Sequence, residues 1–288
     1  MEEFMLPGAY LAYKKNGTAY YRSSITFQKK HISLGSFASE LEAHQAYQQA
    51  AHLLSDSSVA FNDVFLLPTI LSFDKVISLL NFRDNHIYFK NPIYLKNNYF
   101  IYHLSQTEEL KFDIDDLFYY SSHKIMRRQG HLFVNDYGMQ VNILSRYGIK
   151  NYAVPGRDYY FANEDPWDFR YSNIIVVNRY YGVTKIESAG SCRYKVQIHI
   201  NGNYLVGNYL KEEVAAVAYN KAVDLAKNYG VCKNFQTNYV ESLSPRQYAD
   251  IYSQVKISKK YLHYLKSRKD SEIEQKCVSR TPTNNFFC

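Results

Sequence analysis

Two stretches of this 288-residue chain carry a hydrogen-bonding side chain at every second position. Arg22, Ser24 and Thr26 alternate along one, and His31 and Ser33 follow across a polar turn. Lys195, Gln197 and His199 alternate along the other. A strand sends successive side chains to opposite faces. If Ile25, Ile32 and Leu34 face a core, the first set points away from it. Ile198 inward likewise sends Lys195, Gln197 and His199 outward. Faces that mix donors and acceptors with little acid can read base edges in a duplex major groove. The same polarity also suits a face that meets only water.

Other chemistry is thinly represented. Glu164, Asp165 and Asp168 are turn acids, a class usually solvated rather than bound to a metal. His123 and His131 stand alone. Cys192, Cys232, Cys277 and Cys288 lack the close pairing of a zinc site and read as free thiols. No metal and no cofactor is expected. The net charge is +7, and residues 179–288 hold 17 Lys/Arg against 9 Asp/Glu. The excess therefore lies in the last third, where it suits either a polyanion partner or a solvated basic tail. No apolar stretch reaches the ~20 residues that cross a bilayer. Met1-Glu2-Glu3 does not begin a signal peptide. The expectation is a soluble protein of the cytoplasm.

The elements that carry these residues repeat. Tyr20–Phe27, a turn at Gln28-Lys29-Lys30, and His31–Phe37 lead into a helix from Ser39 to Leu54. Arg193–Ile200, a turn at Asn201-Gly202, and Asn203–Tyr209 lead into a helix from Lys211 to Tyr229. Asn-Gly between alternating runs signals a hairpin. Earlier strands fall near Ala9–Tyr13 and Tyr181–Lys185, so each copy reads as three antiparallel strands and a helix. Ser39 with Glu42 makes a capping box. Ala43, Ala46 and Ala50, and Ala215, Ala218 and Ala222, form small-residue helix faces that permit close approach to a sheet. Tyr47 and Tyr219 take matching places on the two helices. Either Tyr204 or Leu205 faces outward, because the second hairpin is shorter.

These segments resemble the plant ethylene-response-factor (Apetala-two) type of DNA-binding domain, which also occurs in bacterial and phage proteins. The resemblance rests on Leu34-Gly35-Ser36-Phe37 and Val206-Gly207-Asn208-Tyr209, on the Ala-rich Tyr-bearing helices, and on Tyr181-Gly182-Val183 and Asn234-Phe235. It implies that the outward strand residues named above, together with Thr184, Lys185 and Arg193, contact duplex DNA. The arginine- and tryptophan-rich outer faces of the plant members are absent here.

Between the copies, residues 61–178 open with a linking helix from Ser72 to Asn81. Alternating segments follow at Ile87–Phe89, Ile93–Leu95, Tyr99–His103, Lys111–Asp116 and Gly130–Val134. Val141 to Asn178 resembles the HNH nuclease core of phage homing endonucleases, through Leu144-Ser145-Arg146 and Asp165–Asn173. That core needs a histidine base and a metal held by acid or histidine. The resemblance places its Asp-His pair on Tyr160-Phe161, its Asn on Phe169 and its earlier His on Ser145. A kept fold with a lost site is implied.

Ser244-Pro245 starts a helix that runs through Tyr252 or as far as Leu265, and the longer span carries Lys259 and Lys260 toward phosphates. Residues from Ser271 read as disordered. The expected architecture is α+β, with two three-stranded-sheet-plus-helix domains (1–60 and 179–240) flanking a degenerate HNH-like ββα domain (61–178). A basic helix and tail (241–288) follow. The expected function is non-catalytic binding of double-stranded DNA by a phage or mobile-element protein in a bacterial host, with a regulatory role. Two alternatives stand beside it. One is an inhibitor that binds a host nucleoprotein complex such as a CRISPR effector. The other is an HNH endonuclease with a rearranged site.

Overall fold

In the computed structural model, which describes residues 5–64, 68–188 and 190–278, the first alternating stretch forms an antiparallel sheet. Its strands are β1 (Ala9–Tyr13), β2 (Ala19–Phe27) and β3 (Lys30–Phe37). Gln28 and Lys29 join β2 to β3 with φ of 45° and 66°. Two successive left-handed residues match the right-handed twist of the flanking strands. Helix α1 (Glu40–Ser55) starts at the expected capping box: Glu42 N donates to Ser39 Oγ, and Ser39 N donates to the Glu42 carboxylate. Ala43, Ala46 and Ala50 are fully buried. Ile25, Ile32 and Leu34 share their core.

After α2 (Phe61–Val64), α3 (Phe73–Asn85) runs four residues beyond the expected linking helix. Val76, Leu79 and Leu80 of α3 join the first core. The linking helix is therefore a packed part of the first copy.

Three small sheets follow among the described residues. Strands β4 (Ile93–Leu95), β5 (Tyr99–His103) and β6 (Glu109–Asp113) pair antiparallel ahead of α4 (Leu117–Ser122). Ile87–Phe89 alternates in sequence but forms no strand. Strands β7 (Ile125–Arg128), β8 (His131–Asp136) and β9 (Met139–Asn142) turn at Gln129-Gly130 and Tyr137-Gly138, all four at positive φ. Strands β10 (Tyr159–Phe161) and β11 (Ile174–Val176) form a two-stranded sheet. From Val141 to Asn178 there is a 3-10 turn (Ile143–Tyr147) but no α-helix. The helix of the expected ββα unit is thus absent from this stretch. Side-chain bonds around Asp168 hold the β10–β11 loop instead.

The second copy comprises β12 (Val183–Ser188), β13 (Ser191–His199), β14 (Asn203–Tyr209) and α5 (Glu212–Asn228). His199 pairs with Asn203, so the hairpin loop has three residues rather than the two of an Asn-Gly turn. Leu205 is 42% exposed, while Tyr204 packs on the core. The outward residue is therefore Leu205. Buried Asn220 and Asn238 exchange two hydrogen bonds of 2.8 and 2.7 Å, and Asn238 Oδ1 accepts from Tyr181 N. The chain after α5 is thereby tied to the start of β12.

Helix α6 (Pro245–Gln254) has a Ser244–Gln247 capping box, and α7 spans Lys259–Val278. The shorter of the two expected spans, through Tyr252, is the one observed, and the chain leaves the helix at Val255–Ser258, where Ser258 N donates to Val206 O and covers the β14 edge. Helix α7 extends into the stretch expected to be disordered from Ser271, and residues 279–288 lie outside the described residues.

Two compact units result. Residues up to Ser145 with Phe161–Ile175 form one, and Arg146–Tyr160 with residues from Val176 form the other. Each unit contains one copy of the repeat. No helix among the described residues is long and apolar enough to cross a membrane.

One device recurs in both copies. A Cβ on Gly8 would overlap the Tyr47 ring, and a Cβ on Gly182 would overlap the Tyr219 ring. Both glycines lie at positive φ, 76° and 68°. Gly17 has φ of 81° but open space around it. Gly17→Ala should therefore cost about 1–2 kcal/mol, from left-handed backbone alone. Gly8→Ala should cost about 1–3 kcal/mol more, from overpacking. Urea denaturation of the two variants checks the difference.

Candidate nucleic-acid interface

The register aligns the outer faces of the two copies residue by residue. Each sheet has a β-bulge, between Ser23 and Ser24 in one and between Val196 and Gln197 in the other. Gly8 O accepts from Ser24 N, as Gly182 O accepts from Gln197 N. Arg22 then corresponds to Lys195, Ser24 to Gln197, Thr26 to His199, His31 to Asn203 and Ser33 to Leu205. Thr26 Oγ1 lies 3.4 Å from His31 Nδ1, and His199 Nδ1 lies 2.9 Å from Asn203 Oδ1. The same cross-strand polar pair thus recurs with its histidine on the opposite strand.

The structure gathers most of the expected residues. Arg22, Ser24, His31 and Ser33 line a cleft of about 420 Å³ with Tyr10 of β1. Tyr10 is 55% exposed and sits opposite Arg22. Arg193, Lys195, Gln197 and His199 share one face of β13, with Thr184 opposite Lys195. Lys185 is a correction. It pairs with Tyr194, so alternation places it on the other face, where it makes a 2.6 Å ion pair with Glu187. Lys259 and Lys260 are exposed in the first turn of α7, while Tyr261 and Leu265 of that helix are buried.

The second sheet also borders a larger cleft of about 720 Å³, where Thr184, Gln197, His199 and Asn203 meet Lys150, Arg157, Asp158 and Lys233. Asp158 fixes its wall. It accepts from Arg157 Nη2 at 2.6 Å, Val154 N at 2.8 Å and Asn178 Nδ2 at 2.9 Å. Burial raises the Asp158 pKa, but these donors outweigh it and hold the carboxyl below its ordinary value. Asn178 Oδ1 in turn accepts from Lys185 N. Burial pushes the Lys150 ammonium down to about 8, against the attraction of Asp158 and Glu212. Lys150 and Arg157 were not legible in sequence, because Lys150–Asp158 has neither periodicity nor a motif.

In the first unit, Phe161 and Phe169, two of the positions implied for catalysis, are packing positions, while Ser145 is exposed. Phe169 is buried, stacks on Phe112 at 5.5 Å and meets Phe161 edge-on at 5.8 Å. Ser145 Oγ donates to Asn142 O at 2.5 Å. In the second unit, Tyr160 is 44% exposed. Two of the three turn acids, Asp165 and Asp168, are engaged, and Glu164 is exposed. Asp165 pairs with Lys111 at 3.0 Å, and fully buried Asp168 receives Arg170 Nη2 at 2.6 Å, Arg170 Nε at 2.9 Å and Asn163 Nδ2 at 3.0 Å. No group of three His, Cys, Asp or Glu suited to a metal occurs among the described residues. Cys192 and Cys232 are exposed free thiols.

The chain matches no protein-family model, no curated protein and no solved structure.

Burial raises the Asp168 pKa, but the hydrogen bonds and charge of Arg170, with Asn163, lower it further. The folded state therefore holds its proton less tightly than the unfolded chain, whose aspartates titrate near about 3.9. Its contribution is complete above that value and is lost as pH falls through the lower folded pKa. Asp168→Ala should cost about 2–4 kcal/mol, because it leaves Arg170 and Asn163 donors without their acceptor. It should also flatten the acid limb of stability below about pH 4. Chemical denaturation across a pH series measures both effects.

Proposed function

We propose that the protein binds double-stranded DNA without cleaving it, presenting the outer faces of β1–β3 and β12–β14 to the major groove. The observation that carries this reading is the recurrence of one polar face in both copies, with a cation at the same place, Arg22 and Lys195. Three strands spaced about 4.8 Å apart are roughly 10 Å across, which suits a groove about 12 Å wide. The positive excess of residues 179–288 supports attraction to phosphates.

The faces differ in what they would read. Ser33 in the first copy becomes Leu205 in the second, and Tyr20 becomes Arg193. Each copy would thus favour its own short sequence, and a regulatory role would follow. The stretch from Val141 to Asn178 is read as descended from an HNH nuclease core, in a phage or mobile-element protein. The packing of Phe161 and Phe169 supports loss of its catalytic site.

Selection of bound sequences from a random duplex pool tests this reading. Enrichment of one or two short motifs is expected. No duplex binding at low salt, with stable capture of a host nucleoprotein complex, would overturn it in favour of an inhibitor. Plasmid nicking that is abolished by chelation would overturn the non-catalytic part. Arg193→Ala combined with Lys195→Ala should weaken duplex binding. It should also lower the slope of log K against log salt by about 0.9 for each phosphate that the side chains no longer neutralise.

A further inference from the structure

The cleft beside the second sheet has a chemistry that the first copy lacks. Among the described residues, the corresponding cleft of the first copy has a single cation, Arg22. Here Lys150, Arg157 and Lys233 line the walls with Tyr152, Tyr181 and Gln197. Lys150 and Arg157 come from the segment before β10, and Lys233 follows α5, so all three lie outside the strands of the repeat. A volume of about 720 Å³ lies within the range of small-molecule sites.

The charges are not balanced within the cleft. Asp158 is its only acid among the described residues, and Arg157, Val154 and Asn178 already satisfy it. Lys233 donates to the carbonyls of His199 and Ile200 at 2.8 and 3.3 Å, which positions its ammonium with one further proton. Lys150 is half-buried, with its ammonium 5.2 Å from the centre of the Tyr181 ring. A cation held there loses hydration that the ring restores only in part. An anion entering the cleft would complete its partners. Tyr152, 82% exposed, and Tyr181 add aromatic surface beside the cations.

We propose that this cleft binds a phosphorylated nucleoside, with its phosphate at Lys150 and Lys233 and its base beside the tyrosine rings and Gln197. Phosphate calls for the cations, and a base calls for the rings and the amide. The nucleotide is either free or the phosphorylated end of a single strand. The site shares Gln197 with the proposed duplex face, but neither source requires that face to bind duplex, so a failure of duplex binding leaves this site standing.

Calorimetric titration of the full chain at pH 7 tests it. The probes are the four deoxynucleoside 5′-monophosphates, inorganic phosphate, and a 5′-phosphorylated hexanucleotide with its 5′-hydroxyl counterpart. At least one mononucleotide should bind at a single site, at least tenfold tighter than inorganic phosphate. If the source is a strand end, the 5′-phosphorylated oligonucleotide binds tighter than both the mononucleotide and the 5′-hydroxyl strand. If it is a free nucleotide, the oligonucleotide binds no tighter than the mononucleotide. Lys150→Met should weaken nucleotide binding at least tenfold while its thermal midpoint holds or rises, since a desolvated cation is removed. Lys233→Met should weaken it severalfold. Phosphate binding as tightly as nucleotide, nucleotide affinity unchanged in Lys150→Met, or no nucleotide binding at millimolar concentration would each overturn the proposal.

Discussion

The contact between one glycine backbone and one tyrosine ring governs each copy of the repeat. Gly8 lies against Tyr47, and Gly182 lies against Tyr219, with no space for a Cβ in either case. The positive φ at each glycine turns its carbonyl toward the strand beside it. That carbonyl accepts from Ser24 N or Gln197 N, the residue just past the bulge. Bulge position decides which side chains face outward. The alanines of α1 and α5 allow the helix close enough for its tyrosine to reach the first strand. Face polarity, strand register and helix approach are therefore linked through one contact.

The copies keep this frame and differ in what surrounds it. The first core recruits α3, through Val76, Leu79 and Leu80. The second recruits α7, through Tyr261 and Leu265, with Tyr261 Oη donating to Ala222 O. The outer face borders a cleft of about 420 Å³ with one cation in the first copy and a cation-walled cleft of about 720 Å³ in the second. The aromatic residues of the first unit play a separate part. Phe100, Phe112, Tyr120 and Phe169 pack ring against ring, so the Phe169 position serves cohesion. Asp168 retains a charge in this setting because Arg170 and Asn163 together satisfy it.

Local chemistry made much of the fold legible. Ser39 with Glu42 and Ser244-Pro245 marked helix starts because a cap is a contact between neighbours in the chain. Ile25, Ile32 and Leu34 marked the buried face because strand alternation needs no distant partner. The face of Lys185 was not legible. It depends on the pairing of β12 with β13, and a shift of one residue moves a side chain through the sheet. The choice between Tyr204 and Leu205 likewise depended on the register set by the hairpin loop that pairs His199 with Asn203. Gln129 and Tyr137, each ahead of a glycine, closed hairpins in a left-handed backbone that such residues take up only once flanking strands pair.

By itself, then, the sequence determined the two repeated sheet-and-helix units, the residues that face their cores and the polar character of their outer faces. These follow from periodicity and capping, which act within a few residues. Tertiary structure alone decided that Lys150, Arg157 and Lys233 meet beside Gln197. It also decided that α3 and α7 complete the two cores. Those arrangements join segments far apart in the chain. Their free energy comes from burial and from hydrogen bonds such as Asn178 Nδ2 to Asp158 and Tyr181 N to Asn238, which exist only once the chain has closed on itself.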